Sequence, residues 1–150
     1  MEPRDIAIAQ ARGRIAFGLG FLLLPGLTGR MWIGRDAERA GTKLFIRAMG
    51  ARDLAIGLGV VIALDRGAPV RGWLEASTLA DLADFAATLI AREEIPPAAV
   101  PQALAIAGGS AALGAWLSRV VDNPPAALEG QTPEAALTGH PPEDDDEIAA

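Results

Sequence analysis

Four apolar stretches of helical length divide residues 1–121 of the chain, and short joints rich in proline, glycine and charged residues separate them. About 20 residues of α-helix cross the roughly 30 Å hydrocarbon core of a bilayer. Pro25, Gly67 and Pro96 lie in the joints, where they end one helix and let the chain turn. The pattern predicts an all-α, four-helix transmembrane bundle. Its helices are expected at about residues 6–24, 40–64, 70–91 and 98–121.

The fourth stretch has the clearest character of a membrane helix. It carries no charge between residues 95 and 118, and small residues dominate its middle. Ser110 and Gly114 lie four residues apart, as do Gly108 and Ala112. Small residues at this spacing let helix backbones approach closely in lipid, although alanine-rich helices contain the same spacing by chance.

The C-terminal residues 122–150 differ from the rest in composition. They are rich in proline, and residues 143–147 read EDDDE, which accounts for five negative charges of the net −6. The remaining chain is therefore close to neutral, and we predict a disordered, solvated acidic tail. Acidic character argues against a nucleic-acid partner.

The inventory of reactive side chains is short. The chain has no cysteine, and its one histidine is His140 in the tail. We therefore expect no haem or zinc site and no thiolate nucleophile, and we predict no cofactor and no metal. Glu75, Asp81 and Asp84 share a helical stripe that suits a divalent cation, but pairing of these carboxylates with arginine is the favoured interpretation.

Charged residues interrupt the second and third stretches, which are otherwise apolar. Arg47, Arg52 and Asp53 lie within IRAMGARDLAIGLGVVIAL, and Asp81 and Asp84 lie in the third stretch. A charge that faces lipid at the centre of a bilayer costs a few kcal/mol or more. We therefore interpret these five residues as a polar network inside the bundle, which either lines a ligand site or fixes the helix register.

The polar residues of the third stretch share one helix face. At about 100° per residue they fall within about 120° of arc, and apolar residues occupy the opposite side. In a water-soluble bundle the polar face would lie outside, whereas in a membrane bundle it must lie inside. The polar set is Ser77, Thr78, Asp81, Asp84 and Thr88, and the apolar set is Leu79, Ala83, Ala87 and Ile90.

An antiparallel hairpin of the second and third helices predicts which charges meet. If the turn is centred near Gly67, Arg52 lies level with residues 82–84 and can meet Asp81 or Asp84. Arg47 lies about one turn farther from the joint, and it is expected to reach back to Asp84.

Asp53 has several candidate partners. Gly50 and Gly57 lie near it on one helix face. Its carboxylate is expected to meet a backbone group, Arg52, or one of the first-helix arginines, Arg12 and Arg14. Unless one of these two arginines enters the bundle, carboxylates outnumber their cationic partners, and at least one is expected to be protonated.

The joint between the first and second helices contains an aromatic residue. Met31, Trp32 and Ile33 lie between two arginines and suit a turn at the membrane interface. Trp73 and Trp116 also lie near the ends of predicted helices, as residues of an aromatic belt do.

The second helix contains a recognisable motif, R-x-x-G-x-R-D-L-x-x-G, from Arg47 to Gly57. Trp73 opens the next helix, and Asp81 and Asp84 follow it. Over roughly residues 12–121 the pattern resembles a family of small four-helix bacterial membrane proteins of unknown function that are distantly similar to DoxX-like proteins. The resemblance implies four transmembrane helices in the cytoplasmic membrane, and it implies no activity.

These features favour a multi-pass protein of the cytoplasmic membrane that binds a lipid or small molecule, or that serves as an accessory subunit. The expected partners are the bilayer, an apolar small molecule, and a second copy or another membrane protein. An enzymatic role is less favoured, because only carboxylates, arginines and hydroxyls are available. The alternatives are a membrane-embedded carboxylate acid/base enzyme of isomerase or cyclase type, a proton-coupled transporter, and a soluble four-helix bundle.

Overall fold

The computed structural model describes residues 2–121, and in this part of the chain every regular element is helical. The prediction of an all-α fold is therefore confirmed, whereas the acidic tail lies outside the described residues. The elements are α1 (Pro3–Leu23), α2 (Pro25–Ile33), a 3₁₀ helix (Gly34–Glu38), α3 (Ala40–Asp65), α4 (Arg71–Ile90) and α5 (Ala99–Val120).

A fifth α-helix, α2, lies where the sequence suggested an interfacial turn. Pro25 ends α1, since it has no N–H to donate, and it also begins α2, because its fixed φ suits the first position of a helix. Gly34 ends α2 with a φ of 63°, which other residues rarely adopt. The joint is thus a short helix followed by a 3₁₀ turn.

Glycine brings the backbones of α1 and α3 into contact. A Cβ on Gly18 would lie 2.7 Å from the carbonyl oxygen of Gly50, and one on Gly50 would lie 2.7 Å from that of Gly18. A Cβ on Gly57 would lie 2.8 Å from the carbonyl oxygen of Ala11. No larger residue fits at these crossings, so these three positions set the distance between the two helices.

Small residues perform the same role between α4 and α5. A Cβ on Gly114 would lie 2.6 Å from Thr78 Oγ1 on α4. A row of buried residues spaced three or four apart runs along α5 and forms its inner face: Ala99, Ala103, Ala107, Ala111 and Gly114. Of the two pairs noted in the sequence, Ser110 and Gly114 face the bundle, whereas Ala112 is exposed.

The principal apolar core lies near the α3–α4 turn. Val70, Leu74 and Leu117 are almost fully buried there. Arg4 Nη2 donates a hydrogen bond of 2.7 Å to the carbonyl oxygen of Leu64, which satisfies a group in the last turn of α3. The rest of the core comprises Ala7, Ala11, Val60, Ala63 and Leu64.

Large apolar side chains cover the outer surface of the helices. Leu79 on α4 is 69% exposed and Ile90 is 85% exposed, whereas Ser77 and Asp81 on the same helix are 2% and 6% exposed. The polar face of α4 therefore points inward and its apolar face points outward. Other strongly exposed apolar side chains are Leu23, Leu27, Met31, Leu44 and Phe45.

Within residues 2–121, two helices, α1 and α5, are long and apolar enough to cross a membrane, each with a mean hydropathy of 1.3 over its most apolar window. Only 22% and 28% of these windows are buried. The helices α3 and α4 do not meet this criterion, and their charged residues are Lys43, Arg47, Arg52, Asp53 and Asp65 on α3 and Arg71, Glu75, Asp81 and Asp84 on α4.

Candidate ligand site

Arg14 on α1 occupies the centre of the polar network. Its Nη1 donates to Oδ1 of Asp53 on α3 at 2.7 Å, and its Nη2 donates to both carboxylate oxygens of Asp81 on α4 at 2.5 Å. Arg14 is 9% exposed, and the two carboxylates are similarly buried. One guanidinium therefore joins three helices, since charged groups this deep require partners.

Hydroxyl and amide groups extend the network to α5. Ser110 Oγ donates to Asp81 Oδ2 at 2.7 Å. Gln10, one turn before Arg14 on α1, donates from Nε2 to the Oγ and the carbonyl oxygen of Ser110 at 3.3 and 3.2 Å. The Oε1 of Gln10 is buried and accepts no hydrogen bond from residues 2–121.

Arg52 and Asp84 form a second ion pair that adjoins the first. Arg52 Nη1 and Nη2 donate to the two carboxylate oxygens of Asp84 at 3.1 and 2.7 Å. Arg52 also donates to Oδ1 of Asp53 from Nε at 3.3 Å and from Nη2 at 3.2 Å. Asp53 thus accepts from both arginines and links the two pairs, and Arg52 meets Asp84 as the hairpin register predicts.

Arg47 lies outside the network, which differs from the expectation that it reaches Asp84. Its side chain is exposed, and its Nε donates at 3.3 Å to the carbonyl oxygen of Leu22. Arg47 and Arg52 are five residues apart, and five steps of about 100° place them about 140° apart around α3. The two arginines share the helix but not a face.

Glu75 also lies outside the network, in an exposed pair with Arg71 at 2.7 Å. The buried network therefore contains two guanidiniums and three carboxylates. The guanidiniums are those of Arg14 and Arg52, and the carboxylates are those of Asp53, Asp81 and Asp84. Its formal charge is −1 when all three carboxylates are ionised. Arg14 supplies the cation from the first helix, and Arg12 stays exposed.

A cavity of about 210 Å³ adjoins this network. Three carboxylates and one guanidinium contribute to its wall, together with the polar side chains of Gln10 and Ser110. Most of the remaining wall is apolar and aromatic. It comprises Phe17, Phe21, Trp32, Met49, Ile106 and Ala107, and Gly13 also lines the cavity.

Trp32 connects this cavity to two others. A cavity of about 210 Å³ reaches toward Thr88 and Ile95, and one of about 260 Å³ reaches toward Thr28 and Gln102. Phe21 and Trp32 line all three. Trp32 therefore projects from α2 into the bundle, whereas Trp73 and Trp116 are 42% exposed at the ends of α4 and α5.

An ion-pair cluster outside the apolar region holds α2 in place. Glu38 of the 3₁₀ helix pairs with Arg30 on α2 at 2.9 Å and with Lys43 on α3 at 3.1 Å. The hydrogen bond and charge of Lys43 lower the pKa of the Glu38 carboxyl, with a smaller contribution from Arg30. The cluster ties the helix that carries Trp32 to the start of α3.

Three parts of the site were not predicted from the sequence, namely Gln10, Ser110 and the aromatic wall. A helical period in α1 could have revealed the wall, since Gln10, Arg14, Phe17 and Phe21 recur every three or four residues and share one face. Ser110 is the one hydroxyl group in the middle of α5.

Comparison of the chain with protein-family models, with curated proteins and with solved structures gives no match. The resemblance of the α3 motif to DoxX-like proteins therefore stays a prediction. Function is therefore inferred from the geometry of the site itself.

Proposed function

We propose that this protein is an integral membrane bundle that binds a small, largely apolar molecule in the cavity beside the Arg14 network. The observation that carries the proposal is the cavity itself. It combines an aromatic and aliphatic wall with a cluster of fixed polar groups at one side, which is the usual composition of a small-molecule site.

The distribution of polarity supports the membrane part of the proposal. The water-soluble alternative predicts that Arg47, Arg52, Asp81 and Asp84 lie on the surface, and Arg47 is exposed as it predicts. In contrast, Asp81 is 6% exposed and the side chain of Asp84 is 20% exposed, while Leu79 and Ile90 on the same helix are among the most exposed residues. Apolar surface of this extent is unusual on a monomer in water and normal against lipid.

The fixed geometry of the polar groups supports the binding part. Each of the three carboxylates is held by at least one charge-assisted hydrogen bond, and the arginines and carboxylates together come from three helices, α1, α3 and α4. A site assembled in this way is largely preformed, so a ligand does not have to order it. The cavity has space for a ring with a short chain, and it is small by the standard of drug-sized ligands.

Two measurements test the proposal. Extraction of membranes with alkaline carbonate should leave the protein in the pellet, since a peripheral or soluble protein would be released. The purified protein in non-ionic micelles should then bind 4-butylbenzyl alcohol, with a saturable change in tryptophan fluorescence that is absent in Trp32→Phe.

A matched pair of variants assigns the binding to the cavity. Gly13 borders the cavity and Gly109 borders none of the three cavities around Trp32, and a Cβ added at either position meets nothing within 4 Å. Gly13→Leu adds a large side chain at the cavity wall and should weaken binding of the alcohol at least about tenfold, whereas Gly109→Leu should not. Equal binding by both variants would place the ligand elsewhere and contradict the proposal.

A further inference from the structure

We infer that the ligand is an apolar cation, specifically a molecule with an ammonium group at one end and a hydrocarbon body. This inference rests on the proposed function, because it names the chemical class that the same cavity selects. It follows from the balance of charge on the cavity wall, the arrangement of aromatic rings, and a buried acceptor that has no donor.

More anionic than cationic side chains line the cavity. Asp53, Asp81 and Asp84 contribute to its wall, and Arg14 is the one cationic side chain among its lining residues. Arg52, which compensates Asp84, is not among the residues that line the cavity. With Arg52 counted, the two guanidiniums leave one net negative charge beside the cavity when all three carboxylates are ionised, and in an apolar surrounding this excess attracts a cation.

Asp84 is the carboxylate best placed to receive that cation. It lines two adjoining cavities, and its side chain is 20% exposed, compared with 12% for Asp53 and 9% for Asp81. Asp81 already accepts from Arg14 on both carboxylate oxygens and from Ser110 on Oδ2, one hydrogen bond more than Asp84 accepts from Arg52. A carboxylate with two hydrogen bonds from Arg52 still has acceptor capacity on each oxygen.

The aromatic residues of the wall add a second preference for a cation. Phe17 and Phe21 lie with their ring centroids 6.1 Å apart at 56°, and Trp32 completes the aromatic side of the cavity. Ring faces attract ammonium groups and also pack against hydrocarbon. The same wall therefore suits both ends of the proposed ligand.

Gln10 supplies an unused acceptor beside the same cavity. Its Oε1 is buried and receives no hydrogen bond from residues 2–121, whereas its Nε2 is engaged with Ser110. A buried acceptor without a donor costs free energy. The amide has to rotate to bring Oε1 to the cavity; a ligand that carries N–H donors would then relieve that cost, and a ligand that offers only acceptors would not.

The experiment compares three probes that share one hydrocarbon body, namely 4-butylbenzylamine in its ammonium form, 4-butylbenzyl alcohol and 4-butylbenzoate. Each is titrated into the full-length protein in non-ionic micelles near neutral pH, with empty micelles as the partition control and Trp32→Phe as the signal control. We expect the amine to bind at least about tenfold more tightly than the alcohol, and the carboxylate to bind most weakly.

The outcomes separate this inference from the proposed function. If the alcohol binds as tightly as the amine, a proton already neutralises the excess carboxylate; the cation inference is then wrong, while the cavity remains a binding site. If the carboxylate binds most tightly, the inference is also wrong. If none of the three binds, the proposed function fails together with the inference.

A charge-matched pair of variants locates the selectivity. Asp84→Asn should reduce the preference for the amine over the alcohol about tenfold, while binding of the alcohol persists and shows that the variant is folded. Glu75→Gln removes the same charge from an exposed position on the same helix and should leave the preference unchanged. Equal effects of the two variants would show that the preference reflects overall charge and would overturn the assignment to Asp84.

Discussion

Arg14 lies between two buried carboxylates, so the effect of replacing it follows from the hydrogen bonds that Asp53 and Asp81 lose. In Arg14→Ala both carboxylates stay buried, and Asp81 keeps only the hydrogen bond from Ser110. We expect the free energy of unfolding to fall by about 3–5 kcal/mol, as measured by chemical unfolding in micelles. Arg12→Ala is the control, because Arg12 is an exposed arginine on the same helix. Similar losses in both variants would mean that the network does not stabilise the bundle.

The Arg52–Asp84 pair makes a prediction about coupling. Arg52→Ala should destabilise the protein because it leaves Asp84 as a half-buried carboxylate without its cation, and Asp84→Asn should rescue part of that loss. A double-mutant cycle should give a coupling of about 1–3 kcal/mol. The exposed Arg71–Glu75 pair on α4 provides the comparison and should give about 0.5 kcal/mol or less. Two independent and harmless changes at Arg52 and Asp84 would contradict the pairing.

The close contact between α1 and α3 at glycine residues predicts how a larger side chain there affects stability. Because a Cβ on Gly50 would collide with the backbone of α1, Gly50→Ala should force the helices apart and lower the free energy of unfolding by about 1–3 kcal/mol. A Cβ at Gly13 meets nothing within 4 Å, so Gly13→Ala should be neutral or stabilising by up to about 1 kcal/mol. Thermal unfolding of both variants in the same micelles gives the comparison, and equal stabilities would show that the helices do not approach as described.

At the scale of the whole molecule, the proposed membrane bundle places the outward apolar face of α4 against lipid. The chain has no cysteine, so each single-cysteine variant carries one thiol. In intact membranes, Leu79→Cys should react slowly with a charged maleimide, because the position faces hydrocarbon. Ala68→Cys, at an exposed position in the α3–α4 turn, should be labelled rapidly once the reagent has access to both membrane sides. Rapid labelling of Leu79→Cys would favour the water-facing alternative.

The sequence by itself determined the long helices and part of the network. Proline and glycine in the joints end the apolar stretches, and the four long helices lie close to the predicted ranges. The Arg52–Asp84 contact also followed from the chain, because a short turn near Gly67 fixes the relative depth of α3 and α4. The helix ends and the relative depth of α3 and α4 depend on residues that are close in the sequence, so the sequence pattern alone predicts them.

Only the tertiary structure decided which side chains from distant helices share a site. Arg14 reaches Asp53 and Asp81 because glycine-mediated contact between α1 and α3 turns one face of α1 toward the centre of the bundle. The helical period identifies which residues share a face of a helix. It does not identify which face is buried when the outward and inward faces are both apolar. Arg47 was misplaced for a different reason: its depth in the hairpin suits Asp84, but it lies about 140° from Arg52 around α3. The cavity around Trp32 emerged only from packing.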